Sequence, residues 1–146
     1  MSVPVRSCPF CKPDQERIVS RNDHAYVQPD INPVSRGHML IIPFRHVSSF
    51  FDTTREEQAA ILDLILDLKE HLDTRHHPTG YNIGVNVGEA AGQAIMHVHF
   101  HMIPRYTGDA RGHRSGLRHV IPEPCVWQRK ISDFYPMRVD KRKKRE

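Results

Sequence analysis

The stretch His97-Val98-His99-Phe100-His101-Met102-Ile103 decides how the rest of the chain is read. Three histidines alternate with apolar residues. Along a β-strand successive side chains point to opposite faces, so residues two apart share one face. The stretch therefore reads as a strand with three imidazoles on one side and Val98, Phe100 and Met102 directed into a core. Neutral imidazole is both a nucleophile and a metal ligand, and its proton equilibrium lies nearest neutral pH. The plainer reading is a histidine-rich exposed strand. Strict alternation directly after Gly92-Gln93 favours a built site instead. At about 3.3 Å per residue His97 and His101 lie roughly 13 Å apart, which argues against one ion shared by all three histidines.

Working outward, Tyr81 to Val87 also alternates, with Ile83, Val85 and Val87 on one face of a second strand. Gly88 to Gly92 reads as a flexible loop, and the histidine strand is expected to end before Pro104. Upstream, Thr54 and Glu57 form a capping box. The helix they open is expected to run to about Asp73. Ala60, Ile61, Leu64, Ile65, Leu68 and Leu72, spaced three and four apart, make its core-facing stripe. Pro78-Thr79-Gly80 closes it off. His38 to Ile42 reads as a buried strand stopped by Pro43, and Ala25 to Val27 as a short strand. Gln28 to Gly37 is a turn-bearing loop, and residues 1–16 form a loop around two cysteines. The order strand, strand, helix, strand, strand predicts an α+β domain, an antiparallel sheet with one main covering helix. Beyond Arg105 the pattern fades. Residues 106–124, rich in Gly, Arg and His, carry no assignable element.

A chain of 146 residues suits one domain with one core. With 38% hydrophobic and 26% charged residues it has an ordinary soluble composition. No apolar run approaches the roughly 20 residues of a membrane span. Met1 to Arg6 carries no signal-peptide stretch, so a cytoplasmic location is expected. The net charge of +4 is concentrated at the end, Arg138-Val-Asp-Lys-Arg-Lys-Lys-Arg-Glu146. Such a run is a solvated tail or a contact for nucleic acid or another polyanion. No aromatic residues interleave it as in a sequence reader. Of the three cysteines, Cys8 and Cys11 make a Cys-Pro-Phe-Cys pair. In a reducing compartment this suggests metal binding before a disulfide. A redox pair is the alternative, without the preceding strand of a thioredoxin-like site.

Taken together, Cys-Pro-Phe-Cys, Asp30-Ile31-Asn32-Pro33, Gly37-His38, Ile42-Pro43 followed by His46, Asn86, Gly92-Gln93 and His-Val-His-Phe-His resemble the histidine-triad (HIT) superfamily of nucleotide hydrolases and transferases. The resemblance spans roughly Cys8 to Tyr106. Ile103-Pro104-Arg105-Tyr106 resembles the zinc-binding bacterial and archaeal members related to diadenosine polyphosphate hydrolases. The resemblance implies a HIT domain over residues 1–125, with the CxxC loop included, and a C-terminal extension over 126–146 ending in the basic tail.

The same resemblance implies a hydrolase that cleaves nucleoside phosphoanhydride or phosphoramidate bonds at the α-phosphate. A nucleotidyl-histidine intermediate would form on His99, and a nucleoside monophosphate such as AMP would be released. His101, Gln93 and His38 would be its catalytic partners. Asn86 and Gln93 would meet the phosphate or leaving-group oxygen, and His101 the phosphate, as donors aimed in advance. Asp30 would accept from the ribose hydroxyls and Ile31 would touch the base. Taken alone, Asp30 also reads as a turn initiator and His38 as a satisfied core histidine. Ala94 departs from the pattern, because many members carry a Ser or Thr hydroxyl there. A structural Zn2+ held by Cys8, Cys11, His46 and His97 is implied, with a closed shell that activates no water. A homodimer is implied as well. The competing functions are a nucleotidyl transferase or phosphorylase, whose branches usually carry Gln in place of the third histidine, a low-turnover nucleotide-binding protein, and a deadenylase of nucleic-acid ends suggested by the tail. His101 favours the hydrolase.

Overall fold

The computed structural model describes residues 7–109 and 116–120. The basic tail, Cys125, Trp127, residues 111–115 and the whole 126–146 extension lie outside the described residues. Five strands make one antiparallel sheet: β1 (Ser20–Arg21), β2 (Ala25–Pro29), β3 (Met39–Pro43), β4 (Gly80–Val85) and β5 (Phe100–Arg105). Their spatial order is β1-β2-β3-β5-β4. One long helix, α1 (Arg55–His76), lies between β3 and β4 in the chain and packs over β2 and β3. This is the expected α+β arrangement. The two-residue edge strand β1 is too short to show a pattern in sequence.

Register explains why the sheet has two working faces. Tyr26 pairs with Ile42, Gln28 with Leu40, and Leu40 in turn with His101. Alternation then places Ala25, Val27, Met39, Ile41 and Met102 on the helix side, in one cluster with Ile61, Leu64, Ile65, Leu68 and Leu72. The opposite side carries Tyr26, Leu40 and Ile42, which pack on Cys8 and Phe10 of the cysteine loop. The expected single core is thus two apolar clusters, one on each side of the sheet. A sheet covered on both sides explains why β2 and β3 read as apolar runs rather than alternations.

Several boundaries differ from the sequence reading. The helix continues to His76, because nothing breaks it until His77 turns left-handed (φ 50°) ahead of Pro78. The regular strand begins at Phe100, not His97, and passes through Pro104 to Arg105. Pro104 is tolerated because pairing with β3 stops at Met39 and Met102, so its missing N–H faces no strand on that side. Ile83 and Val85 do share the helix side of the sheet with Phe100 and Met102. They stay half-exposed because α1 covers β2 and β3 instead.

The loop before β3 is fixed by a glycine. Gly37 has φ +87°, and a Cβ there would stand 2.9 Å from the His76 ring and 3.3 Å from Pro104. Only glycine fits this turn against the helix end, one residue before His38. At the other end of α1 the capping box forms as expected. Thr54 accepts from the Glu57 N–H at 3.1 Å, and Glu57 accepts from the Thr54 N–H at 2.8 Å. Arg45 clamps the same carboxylate with two bonds of 2.7 and 2.8 Å, tying the turn after β3 to the helix start. Thr54→Ala is expected to lower unfolding stability by about 1 kcal/mol in urea titrations, with the urea dependence of the free energy unchanged.

Candidate active site and metal centre

On the sheet side away from α1, the cysteine loop descends onto the turn after β3 and the bend before β5. There Cys8, Cys11, His46 and His97 bring one ligand atom each to within 4.8 Å of one another. Cys11 Sγ stands 3.1 Å from His46 Nδ1. His97 Nδ1 lies 3.5 Å from Cys8 Sγ and 3.6 Å from Cys11 Sγ. Tetrahedral zinc bonded to sulfur and nitrogen at its usual lengths separates the two ligands by roughly 3.6 Å. The donor set and its spacing therefore fit that ion. The tautomer fits too. His97 Nε2 donates to the Pro43 carbonyl at 2.8 Å, which leaves the Nδ1 lone pair for the cluster. Burial lowers the His97 pKa and favours the neutral ring a ligand must be. Both cysteines are unbridged.

The next histidine is set by the first. His99 Nδ1 donates to the His97 carbonyl at 2.7 Å. A neutral ring protonated on Nδ1 keeps its lone pair on Nε2, and that atom has no hydrogen-bond partner among the described residues. The Phe10 ring packs at 5.1 Å from His99 and at 5.8 Å from His97. The loop that gathers the cysteines thus also walls the central histidine.

A second chain of bonds fixes His101. The Val34 N–H donates to His38 Nδ1 at 3.2 Å, so the His38 proton sits on Nε2. From there it points at His101 Nδ1, 3.0 Å away, with Asp30 Oδ2 at 3.4 Å. His101 therefore accepts on Nδ1 and carries its own proton on Nε2. Burial, with His99 and His38 alongside, pushes the His101 pKa down to about 4. Burial lowers that of His38 as well, against the pull of Asp30. Asp30, His38 and His101 also converge within 4.8 Å. Metal on His38 Nε2 would require its proton to move to Nδ1, where the Val34 N–H already points.

A cavity of about 380 Å3 opens beside these rings. Asp30, Ile31, Asn86, Ala94, His99 and His101 line it together. Ile31 is 69% exposed, an apolar side chain held out over the opening. Asn86 donates to the Gly92 carbonyl at 3.3 Å, at the rim. His38 also lines the cavity, but its contacts are with His101 and Asp30 rather than with His99. Gln93 is placed differently from the expected phosphate contact. It is buried, its Oε1 accepts from the Gly88 N–H at 2.8 Å, and its Nε2 donates to the Ser48 carbonyl at 2.7 Å. Its amide staples the Gly88–Gly92 loop to the turn after β3.

The chain's relatives can be set beside this geometry. The HIT domain profile matches residues 12–108. The chain belongs to the HIT family. An uncharacterized HIT-like protein of Methanocaldococcus jannaschii is 37% identical over 106 residues, 70% of this chain and 81% of that protein. An AP-4-A phosphorylase of Mycobacterium tuberculosis is 30% identical over 108 residues, 73% of this chain and 55% of its own length. A zinc-bound histidine triad family protein from Mycobacterium smegmatis has a TM-score of 0.65 at 32% identity, covering 71% of this chain and 78% of that one.

Several residues that build this HIT site escaped the sequence reading. Phe10, Gln28, Leu40 and Ile95 line the cavity. Phe10 carried a usable signal, because it sits inside Cys-Pro-Phe-Cys and must travel with the cysteines. The Pro43 carbonyl and the Val34 N–H are backbone groups, which leave no side-chain signal in the sequence.

The depressed histidines set a pH dependence. A His with a folded pKa near 4 stays neutral while its unfolded counterpart protonates near 6.5, so the unfolded state binds more protons between those values. Stability is then fully present above pH 6.5 and falls as the pH drops toward 4. The melting temperature is expected to decline between pH 6.5 and 5, above the range where carboxylates titrate. His101→Asn is expected to flatten that decline, and an unchanged slope in the variant would remove His101 as its source.

Proposed function

We propose that this HIT protein is a nucleotide hydrolase. It would cleave a nucleoside phosphoanhydride or phosphoramidate at the α-phosphate and release a nucleoside monophosphate, with adenine favoured. The observation that carries the reading is the His99 tautomer. A neutral imidazole held on Nδ1 by a carbonyl, with its Nε2 lone pair uncommitted at a cavity, is prepared for nucleophilic attack. The name of the mycobacterial AP-4-A phosphorylase supports the substrate class.

On this reading His99 Nε2 attacks the α-phosphorus, and a P–N bond forms as the bond to the leaving group breaks. His101 Nε2–H donates to the phosphoryl or leaving-group oxygen and stabilises the charge that develops there. Water then cleaves the P–N bond, releases the monophosphate and restores His99. Asp30 accepts from the ribose hydroxyls, Ile31 covers the base and Asn86 reaches the phosphate. His38 positions His101, and Gln93 acts through the loop it staples. With Ala94 in the cavity wall, no hydroxyl is available at that position. AMP release from diadenosine tetraphosphate or adenosine phosphoramidate is expected from the wild type and is expected to fall by at least about a thousandfold in His99→Ala. Equal release by the two proteins would contradict the reading.

A structural zinc at Cys8, Cys11, His46 and His97 belongs to the same proposal. When bound it crosslinks the cysteine loop to the bend before β5. The zinc-bound mycobacterial structure supports it. Purified protein is expected to hold one zinc per chain, with Cys8 and Cys11 resistant to alkylation until a chelator is added. Metal-free protein with freely alkylated cysteines would overturn it. A homodimer is proposed on the edge of β4 that no strand pairs among the described residues, where Ile83 and Val85 lie half-exposed.

The phosphorylase reading has the mycobacterial relative in its favour. It would pass the nucleotidyl group from His99 to inorganic phosphate, so ADP rather than AMP would appear when phosphate is supplied. His101, the third histidine, favours water as the acceptor.

A further inference from the structure

Gln28 is a buried polar side chain that the phosphate chemistry leaves unused. It lines the cavity beside His99 and is 9% exposed. Register places it. Gln28 pairs with Leu40 on β3, and Leu40 pairs with His101 on β5. The three side chains form one row across the sheet, on the side away from α1. At about 4.8 Å per strand, Gln28 stands roughly 10 Å from His101 along that row. Asp30, two positions after Gln28, reaches 3.8 Å from His101 Nδ1. A nucleotide with its phosphate at His101 and its ribose at Asp30 leaves Gln28 to its base.

The Gln28 amide is uncommitted. Neither its Oε1 nor its Nε2 has a hydrogen-bond partner among the described residues. Nor is it sealed in the interior. Among the described residues the side-chain polar atom shut off without a partner is the Ser35 hydroxyl, not the Gln28 amide. The amide therefore opens on the cavity, where solvent or a ligand must satisfy it. The walls around it are apolar, from Phe10, Leu40 and Ile95. Apolar walls hold the faces of a flat ring by burial and do not distinguish its edges. A carboxamide sets one acceptor beside one donor, which matches the amine and the adjacent ring nitrogen on an adenine edge. A base that closes over Gln28 without such a pair leaves the amide unsatisfied in apolar surroundings, and binding weakens accordingly.

We propose that Gln28 is a specificity residue that reads the edge of the nucleobase. Its Oε1 accepts from an exocyclic amine, and its Nε2–H donates to the adjacent ring nitrogen. The proposal rests on the nucleotide-hydrolase reading and adds an edge contact to the apolar base contact at Ile31. An amide can turn over to serve a 6-oxo purine, so the discrimination it enforces is against a base with a bare 6-position.

The test is calorimetry on the full chain with AMP and with purine riboside 5′-monophosphate, which lacks the exocyclic amine and keeps the ring, ribose and phosphate. The wild type is expected to bind AMP about tenfold tighter, the worth of one hydrogen bond made by an otherwise unsatisfied buried amide. Gln28→Leu, which removes the amide from an already apolar pocket, is expected to bring the two affinities together. Gln28→Met, closer in shape, carries the test should leucine impair folding. Equal affinities in the wild type would overturn the edge contact and leave the nucleotide reading standing. An AMP advantage that survives the loss of the amide would overturn it too. Folded wild-type protein that binds neither nucleotide would overturn the nucleotide reading itself, and the edge contact with it.

Discussion

His97 carries the constraint on which the site depends. Its ring is fully buried and held from two sides: Nε2 by the Pro43 carbonyl, Nδ1 by the two cysteine sulfurs. Its backbone is held as well, because the next N–H, that of Val98, bonds the Val47 carbonyl at 2.7 Å. The His97 carbonyl therefore has a fixed direction, and His99 Nδ1 meets it. A side chain that fits a metal cluster and a main-chain oxygen that orients the His99 ring belong to one residue. Loss of order at the cysteine loop would be felt first at His99.

The rest of the fold serves this placement. The helix closes one side of the sheet with an apolar stripe, and the cysteine loop closes the other with Phe10. Covering both sides buries His38, His97 and His101, which disfavours their charged forms. Hydrogen bonds then choose the tautomer of each ring: Pro43 for His97, His97 for His99, and Val34 through His38 for His101. Three rings of the same kind end up presenting different capacities: a lone pair on Nδ1 of His97, a lone pair on Nε2 of His99 and an N–H on Nε2 of His101. An accepting Nε2 and a donating Nε2 stand side by side, with His99 and His101 ring centroids 5.1 Å apart. Nucleophilic attack and charge stabilisation need those two opposite capacities at one phosphorus.

Much of this was legible in the sequence, for identifiable reasons. The helix stripe from Ala60 to Leu72 and the Thr54–Glu57 box are local, periodic signals, and both are realised. The alternation of the histidine stretch gave the right faces for Phe100 and Met102 but the wrong start for the strand. His97 to His99 bend away because the buried ring of His97 and the N–H of Val98 are claimed by the turn after β3. Such claims come from a distant segment and leave no periodicity. Gln93 was legible as an important residue and not as a loop staple, since its partners are backbone atoms of Gly88 and Ser48. The cysteine and histidine cluster was legible only through its joint register, because Cys11 lies 35 positions from His46 and 86 from His97.

The most direct measurement is the nitrogen NMR spectrum of the histidine side chains at neutral pH, with His99 assigned by comparison with His99→Ala. The account predicts the Nδ1-protonated tautomer for His99, with a pyridine-like Nε2 whose signal moves when nucleotide is added. His99 protonated on Nε2, with a bare Nδ1 facing the His97 carbonyl, would contradict it.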